Sequence, residues 1–343
     1  MFCCQLQLKC GFCFALWGGD LRIFPGSPPS HHGASLRSLQ ATASRHETAA
    51  RAAPSWSESK RPRFAQEADP AELTFQCGIE RPQQDLFESA LARELARLQS
   101  WATEHGWPIL KESPAKLEVV VSEQFAISKS LVPAWHGQAG RMEFPAWRVK
   151  AGKAAIMHEL THVLFPNGNR LLAEGLAVYL QALIGSNPAF PNFNAPLHPL
   201  ARERMCEMVG TRAGARLKSA STPAIFAGVE LTELDRIATP APLTLRVGAK
   251  LYGEEPHGQT CIYPLTGSFV QFLIETKGMD AFRALYLQTP LIPLRQEAGL
   301  PKRWLDIYGA SLADLDRDWK VLIASAPMSN SSFNPHHKEQ DHA

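Results

Sequence analysis

The stretch Ala154-Ala155-Ile156-Met157-His158-Glu159-Leu160-Thr161-His162-Val163-Leu164-Phe165 decides how this chain reads. Residues four apart on a helix share a face, so His158 and His162 can direct two imidazole nitrogens at one ion. Glu159 stands one position on from His158, beside such an ion rather than on it. A base placed there can take a proton from a metal-activated water. Three polar side chains on an otherwise apolar helix are costly unless they find partners, and a zinc ion would satisfy all of them. The plainer alternative is a core helix whose polar groups bond to neighbouring backbone.

A third ligand follows from the residues downstream. Pro166 lacks a backbone donor and disfavours helix at Phe165, so the motif helix is predicted to end there. Pro166-Asn167-Gly168-Asn169 reads as a tight turn. A second helix is predicted from Arg170 to Ile184, with Gly185 as its stop. His162 and Glu174 then stand on either side of the turn, each roughly 6 Å from it at about 1.5 Å per residue. In an antiparallel helix pair they face one another, and Ala173, Gly175 and Ala177 allow a close approach. No acid lies between Val163 and Ala173 to compete. Two histidines, one glutamate and a water make a tetrahedral catalytic site around one zinc ion. The alternative for Glu174 is an exposed acid on a helix surface.

The two segments HELTHVL (158–164) and LLAEGLAVYL (171–180) resemble the gluzincin metallopeptidases, the group that includes thermolysin. The likeness is closer to the peptidase-MA-like branch, in which a short loop separates HExxH from an EGLA-type helix. The resemblance implies a zincin-like domain, zinc held by His158, His162 and Glu174, and Glu159 as general base. It also implies a peptide or protein substrate. A weaker likeness to the same branch lies in Tyr263-Pro264-Leu265-Thr266-Gly267-Ser268, a tyrosine followed by a small-residue turn and a helix. Zinc hydrolysis also needs a donor for the oxyanion. Tyr263 is the preferred candidate because a loop-to-helix junction is predicted there, with Tyr252 and His257 behind it.

Around this centre the chain reads as α+β, mainly α: a small N-terminal sheet with an edge strand, the HExxH helix, and a helical C-terminal half. Asp85 to His105 is helical by the spacing of Leu86, Leu91, Leu95 and Leu98. Lys116 to Val121 is a strand. Arg141 to Val149 alternates, and its proline marks it as the edge strand, ready to pair with an extended substrate. A Pro- and Asn-rich loop over Asn187–Pro199 forms a rim. Further helices are predicted over His198–Val209, Leu231–Ile237, Ser268–Thr276, Ala281–Gln288 and Leu312–Ser325. The metallopeptidase domain is expected over 69–327, with a possible subdivision at Thr239-Pro240-Ala241-Pro242.

Net charge is +2 over 343 residues, but residues 1–64 carry five net positive charges and the remainder three net negative ones. The body therefore has no charge bias toward nucleic acid. Residues 1–68 are predicted to be a disordered leader or targeting segment, rich in Ala, Ser and Arg and too poor in apolar periodicity to fold. Residues 328–343 read as a disordered tail. No run of eighteen apolar residues exists, so no membrane-spanning helix is expected. Cys10-Gly11-Phe12-Cys13 is a lone CxxC, and His31, His32, His336 and His337 read as solvated. Cys77, Cys206 and Cys261 read as small buried hydrophobes. An alternative function is a catalytically inactive zinc-bound binding or regulatory module on a peptidase scaffold, although such a site needs no Glu159. A helical scaffold bearing the motif by accident is a third. Compartment and oligomeric state are open.

Overall fold

The computed structural model describes residues 72–327, apart from 109–115, 137–139, 211–225, 227, 254 and 293–297. The leader with its CxxC, and the tail, lie outside the described residues. The fold is mixed α+β and mainly helical, with a small sheet.

Strand β1 (Glu72–Cys77) opens the described chain. It puts Leu73, Phe75 and Cys77 against the core, and their polar neighbours face outward. Helix α1 (Arg81–Glu104) carries the chain over to β2 (Lys116–Ser122), which pairs parallel with β1, as a helical crossover permits. α1 begins four residues before the Asp85 expected as its start. Pro82 sits in its first turn, where a missing N–H costs nothing. Its buried stripe runs through Phe87, Leu91, Leu95 and Leu98, and Leu86 points to solvent.

The sheet order is β1-β2-β4-β3, where β3 is Lys129–Leu131 and β4 is Gly140–Pro145. A four-residue helix α2 (Pro133–His136) lies between those two strands in sequence. Arg141–Val149 is therefore not the edge strand. β4 is internal, parallel to β2 on one side and antiparallel to β3 on the other. Pro145 closes it as the residue before a short helix α3 (Ala146–Lys150), at the strand end where an absent donor is harmless. The edge on this side is β3, a polar three-residue strand with no periodic signal, and β1 forms the other.

Helix α4 (Ile156–Leu164) ends at Phe165, and α5 (Arg170–Ile184) follows after the turn. Asn169 caps α5 by accepting from the Leu172 N–H. Every residue from Leu171 to Gln181 is buried, so α5 is enclosed all round. The sequence continues through α6 (Leu197–Met208), α7 (Leu231–Leu234) and a hairpin of β5 (Leu245–Val247) and β6 (Lys250–Tyr252). It ends in α8 (Pro256–Lys277), α9 (Met279–Gln288), α10 (Lys302–Tyr308) and α11 (Leu312–Ser325). No described helix is long and apolar enough to cross a membrane.

α8 is much longer than the Ser268–Thr276 helix expected, and it runs through Pro264. Its packing on α5 explains why. A Cβ on Gly175 would lie 2.5 Å from Val270 Cγ2 and 2.9 Å from the Thr266 carbonyl oxygen; one on Gly267 would lie 2.4 Å from Val178 Cγ1. Gly175 therefore serves the α5–α8 crossing and not the α4–α5 pair. Gly267→Ala is expected to destabilise the protein by about 1–3 kcal/mol through overpacking. Adding Val178→Ala should recover part of that loss, and chemical denaturation of the four proteins of the double-mutant cycle measures it.

Candidate metal centre

α4 and α5 bring the three proposed ligand atoms to one point. His158 Nε2 and His162 Nε2 lie 3.1 Å apart. Glu174 Oε2 is 3.2 Å from the first and 3.4 Å from the second. Tetrahedral zinc with bonds of about 2.0–2.1 Å would hold its ligand atoms about 3.3 Å from one another. These spacings fit without rearrangement. His158 and Glu174 are buried, and Glu174 Oε2 has no well-aligned hydrogen-bond donor among the described residues, only the two imidazole nitrogens beside it. Three lone-pair atoms thus converge where at most two protons could lie between them, a donor set suited to a cation.

The other carboxylate oxygen is held apart from this point. Arg170 Nη1 pairs with Glu174 Oε1 at 2.8 Å, one turn back on α5. Burial pushes the Glu174 pKa upward, but the Arg170 guanidinium and His162 outweigh it and hold the carboxyl well below its ordinary range. His158 Nδ1 is buried and has no hydrogen-bond partner among the described residues.

Glu159 is 5% exposed and lies beside the cluster. Ser130 Oγ, from edge strand β3, is 2.6 Å from Glu159 Oε2 and 3.0 Å from its backbone oxygen, clipping the strand to α4. Burial raises the Glu159 pKa, and the opposing pull of His158 and the Ser130 hydrogen bond does not cancel it.

A cleft of about 250 Å³ opens over these groups, bordered by β3, Arg148, Arg170, Phe190, Gln259 and Tyr263. Phe190 belongs to the loop expected as a rim. Gln181 Nε2 anchors that loop, lying 3.0, 2.9 and 2.8 Å from Ala189 O, Phe190 O and Asn192 Oδ1. Thr239 and Pro240 border the cleft as well, and Thr239 bonds back to Asn167 and Gly168 of the interhelix turn.

Tyr263 stands inside α8, not at a loop-to-helix junction. Its ring still faces the cleft, nearly coplanar in orientation with His158, the planes 13° apart and the centroids 6.1 Å. The other two oxyanion candidates are elsewhere. Tyr252 is buried with its hydroxyl donating to Met208 O, and His257 sits beside Glu207 and Cys261. Ser130 and Arg148 carried no signal in the sequence. Arg170 did, because it stands four residues before Glu174 on the same helix face.

No protein-family model and no curated protein matches this chain.

Glu174→Ala and His162→Ala are each expected to lower bound zinc by one equivalent in elemental analysis of the dialysed protein. Arg170→Met should keep the ligands but weaken affinity about 10–100-fold, the usual cost of losing a group that orients a ligand.

Proposed function

We propose that this chain is a zinc-dependent peptidase of the gluzincin type, with a zincin-like catalytic domain over 69–327. One observation carries the reading: two imidazole nitrogens and one carboxylate oxygen converge within 3.1–3.4 Å of each other, with the buried Glu159 carboxyl beside them at the floor of an open cleft. His158, His162 and Glu174 hold one zinc ion. When bound, zinc supplies Lewis-acid chemistry, polarising the scissile carbonyl and making a water acidic near neutral pH.

Glu159 takes the proton of the attacking water and delivers it to the leaving amine nitrogen. Its burial favours this role, since an apolar setting raises the basicity of a carboxylate. The Ser130 hydroxyl fixes Oε2 and leaves Oε1 to carry the proton. Tyr263 donates from α8 to the oxyanion. The substrate is a peptide or protein segment laid in extended form along β3, whose outer edge is free of any partner strand among the described residues. Main-chain pairing there fixes the peptide while the cleft walls select side chains. An inactive zinc-binding module is the alternative, but it has no use for a desolvated carboxylate clipped beside the ion.

Glu159→Gln is expected to keep its zinc and lose about 10²–10⁴-fold in turnover on a peptide library, the usual contribution of a general base. Chelation should silence the parent protein, and added zinc should restore it. Turnover by Glu159→Gln equal to the parent's would remove Glu159 from the mechanism. Absence of any cleavage by zinc-loaded parent would favour the binding-module alternative.

A further inference from the structure

We propose that Glu207, His257 and Cys261 form a second cation site, for a transition metal of zinc or cobalt character, on the face of α8 turned away from the cleft. His257 and Cys261 stand four residues apart in the first turns of α8 and share a helix face. Glu207 reaches them from the last turn of α6. His257 Nε2 lies 3.7 Å from Glu207 Oε1 and 4.0 Å from Cys261 Sγ, and the three ligand atoms all fall within 4.8 Å of one another. Zinc with nitrogen at about 2.0 Å and sulfur at about 2.3 Å holds such atoms about 3.5 Å apart, so small side-chain rotations close the set. Thiolate, imidazole and carboxylate together select a borderline-soft divalent ion over magnesium or calcium.

One further observation points to a built site. The carboxylate is fixed as Glu174 is: the buried Arg204 donates from Nη1 to Glu207 Oε2 at 2.9 Å, which leaves Oε1 turned to the imidazole. The Lys250 ammonium lies 3.5 Å from His257 Nε2 and has to leave before a cation can bind there. Lys250 is exposed and can swing out as the metal enters from the solvent side, past the half-exposed His257 and Glu207. The Cys261 proton passes to water as the sulfur–metal bond forms, and no oxidant or reductant is involved. Gln259 and Tyr263 leave α8 on the cleft side, so the two sites lie across one helix.

The test is a Co²⁺ titration of the metal-free full chain, read by the intense near-ultraviolet sulfur-to-cobalt charge-transfer band. The cleft donors contain no sulfur, and with Cys3, Cys4, Cys10 and Cys13 replaced by serine in every protein of the series the band reports this site whatever the fate of the peptidase reading. We expect the band in the parent, its saturation at one equivalent in Glu174→Ala, and its loss in Cys261→Ser. Cys261 is buried and its variant could misfold. His257→Ala and Glu207→Gln, both at the surface, should therefore weaken cobalt affinity by about 10-fold or more, at least what loss of an orienting group costs. Lys250→Met should tighten it. No band in the parent, an unchanged band in Cys261→Ser, or unchanged affinity in both surface variants would overturn the site.

Discussion

A carboxylate with 2% of its surface exposed, in a helix enclosed on every side, is the constraint on which this structure turns. Glu174 has little access to bulk water from the middle of α5, and an uncompensated charge there would be costly. Arg170 answers one of its oxygens from the same helix. The other faces two imidazoles from α4 and has no well-aligned donor among the described residues. Arg170 and the imidazoles hold the carboxyl ionised, and an ionised carboxylate oxygen converging with two imidazole nitrogens is the physical ground for the metal reading.

The elements around α5 are arranged so that this pairing also builds a cleft. α8 approaches closely where Gly175 and Gly267 carry no side chain, and that approach brings Tyr263 alongside His158. On the opposite border, one serine hydroxyl ties the edge strand to the backbone and carboxylate of Glu159. The candidate base and the two histidines thus come from α4, Glu174 from α5 and the candidate oxyanion donor from α8, three separately packed helices. None of them depends on a flexible loop for its position.

Much of the centre was legible in the sequence because it is local. The i, i+4 histidines, the proline that stops α4, the Asn-Gly turn and the apolar run of α5 each act over a few residues, and the helix boundaries follow from them. What escaped was set by tertiary packing. Pro264 costs a helix interior about 3 kcal/mol in isolation, so a junction was the reasonable local reading; packing on α5 overrides it. Gly175 announced a close approach but not the partner, which is α8. The alternation of 141–149 continued past Pro145 although the strand did not. β3 is too short and polar to show a period, and with it went Ser130.

Asn169 shows how far the centre depends on distant chain. Besides capping α5, its side-chain amide donates to the backbone oxygens of Asp235 and Ala298, 66 and 129 residues away in sequence. Tyr286 closes the same region by donating to Phe165 O at 2.6 Å. A fragment of residues 154–184 would carry His158, Glu159, His162 and Glu174, yet it would lack every one of these anchors. The positions of the three side chains are therefore held by contacts of high sequence separation as well as by the local turn.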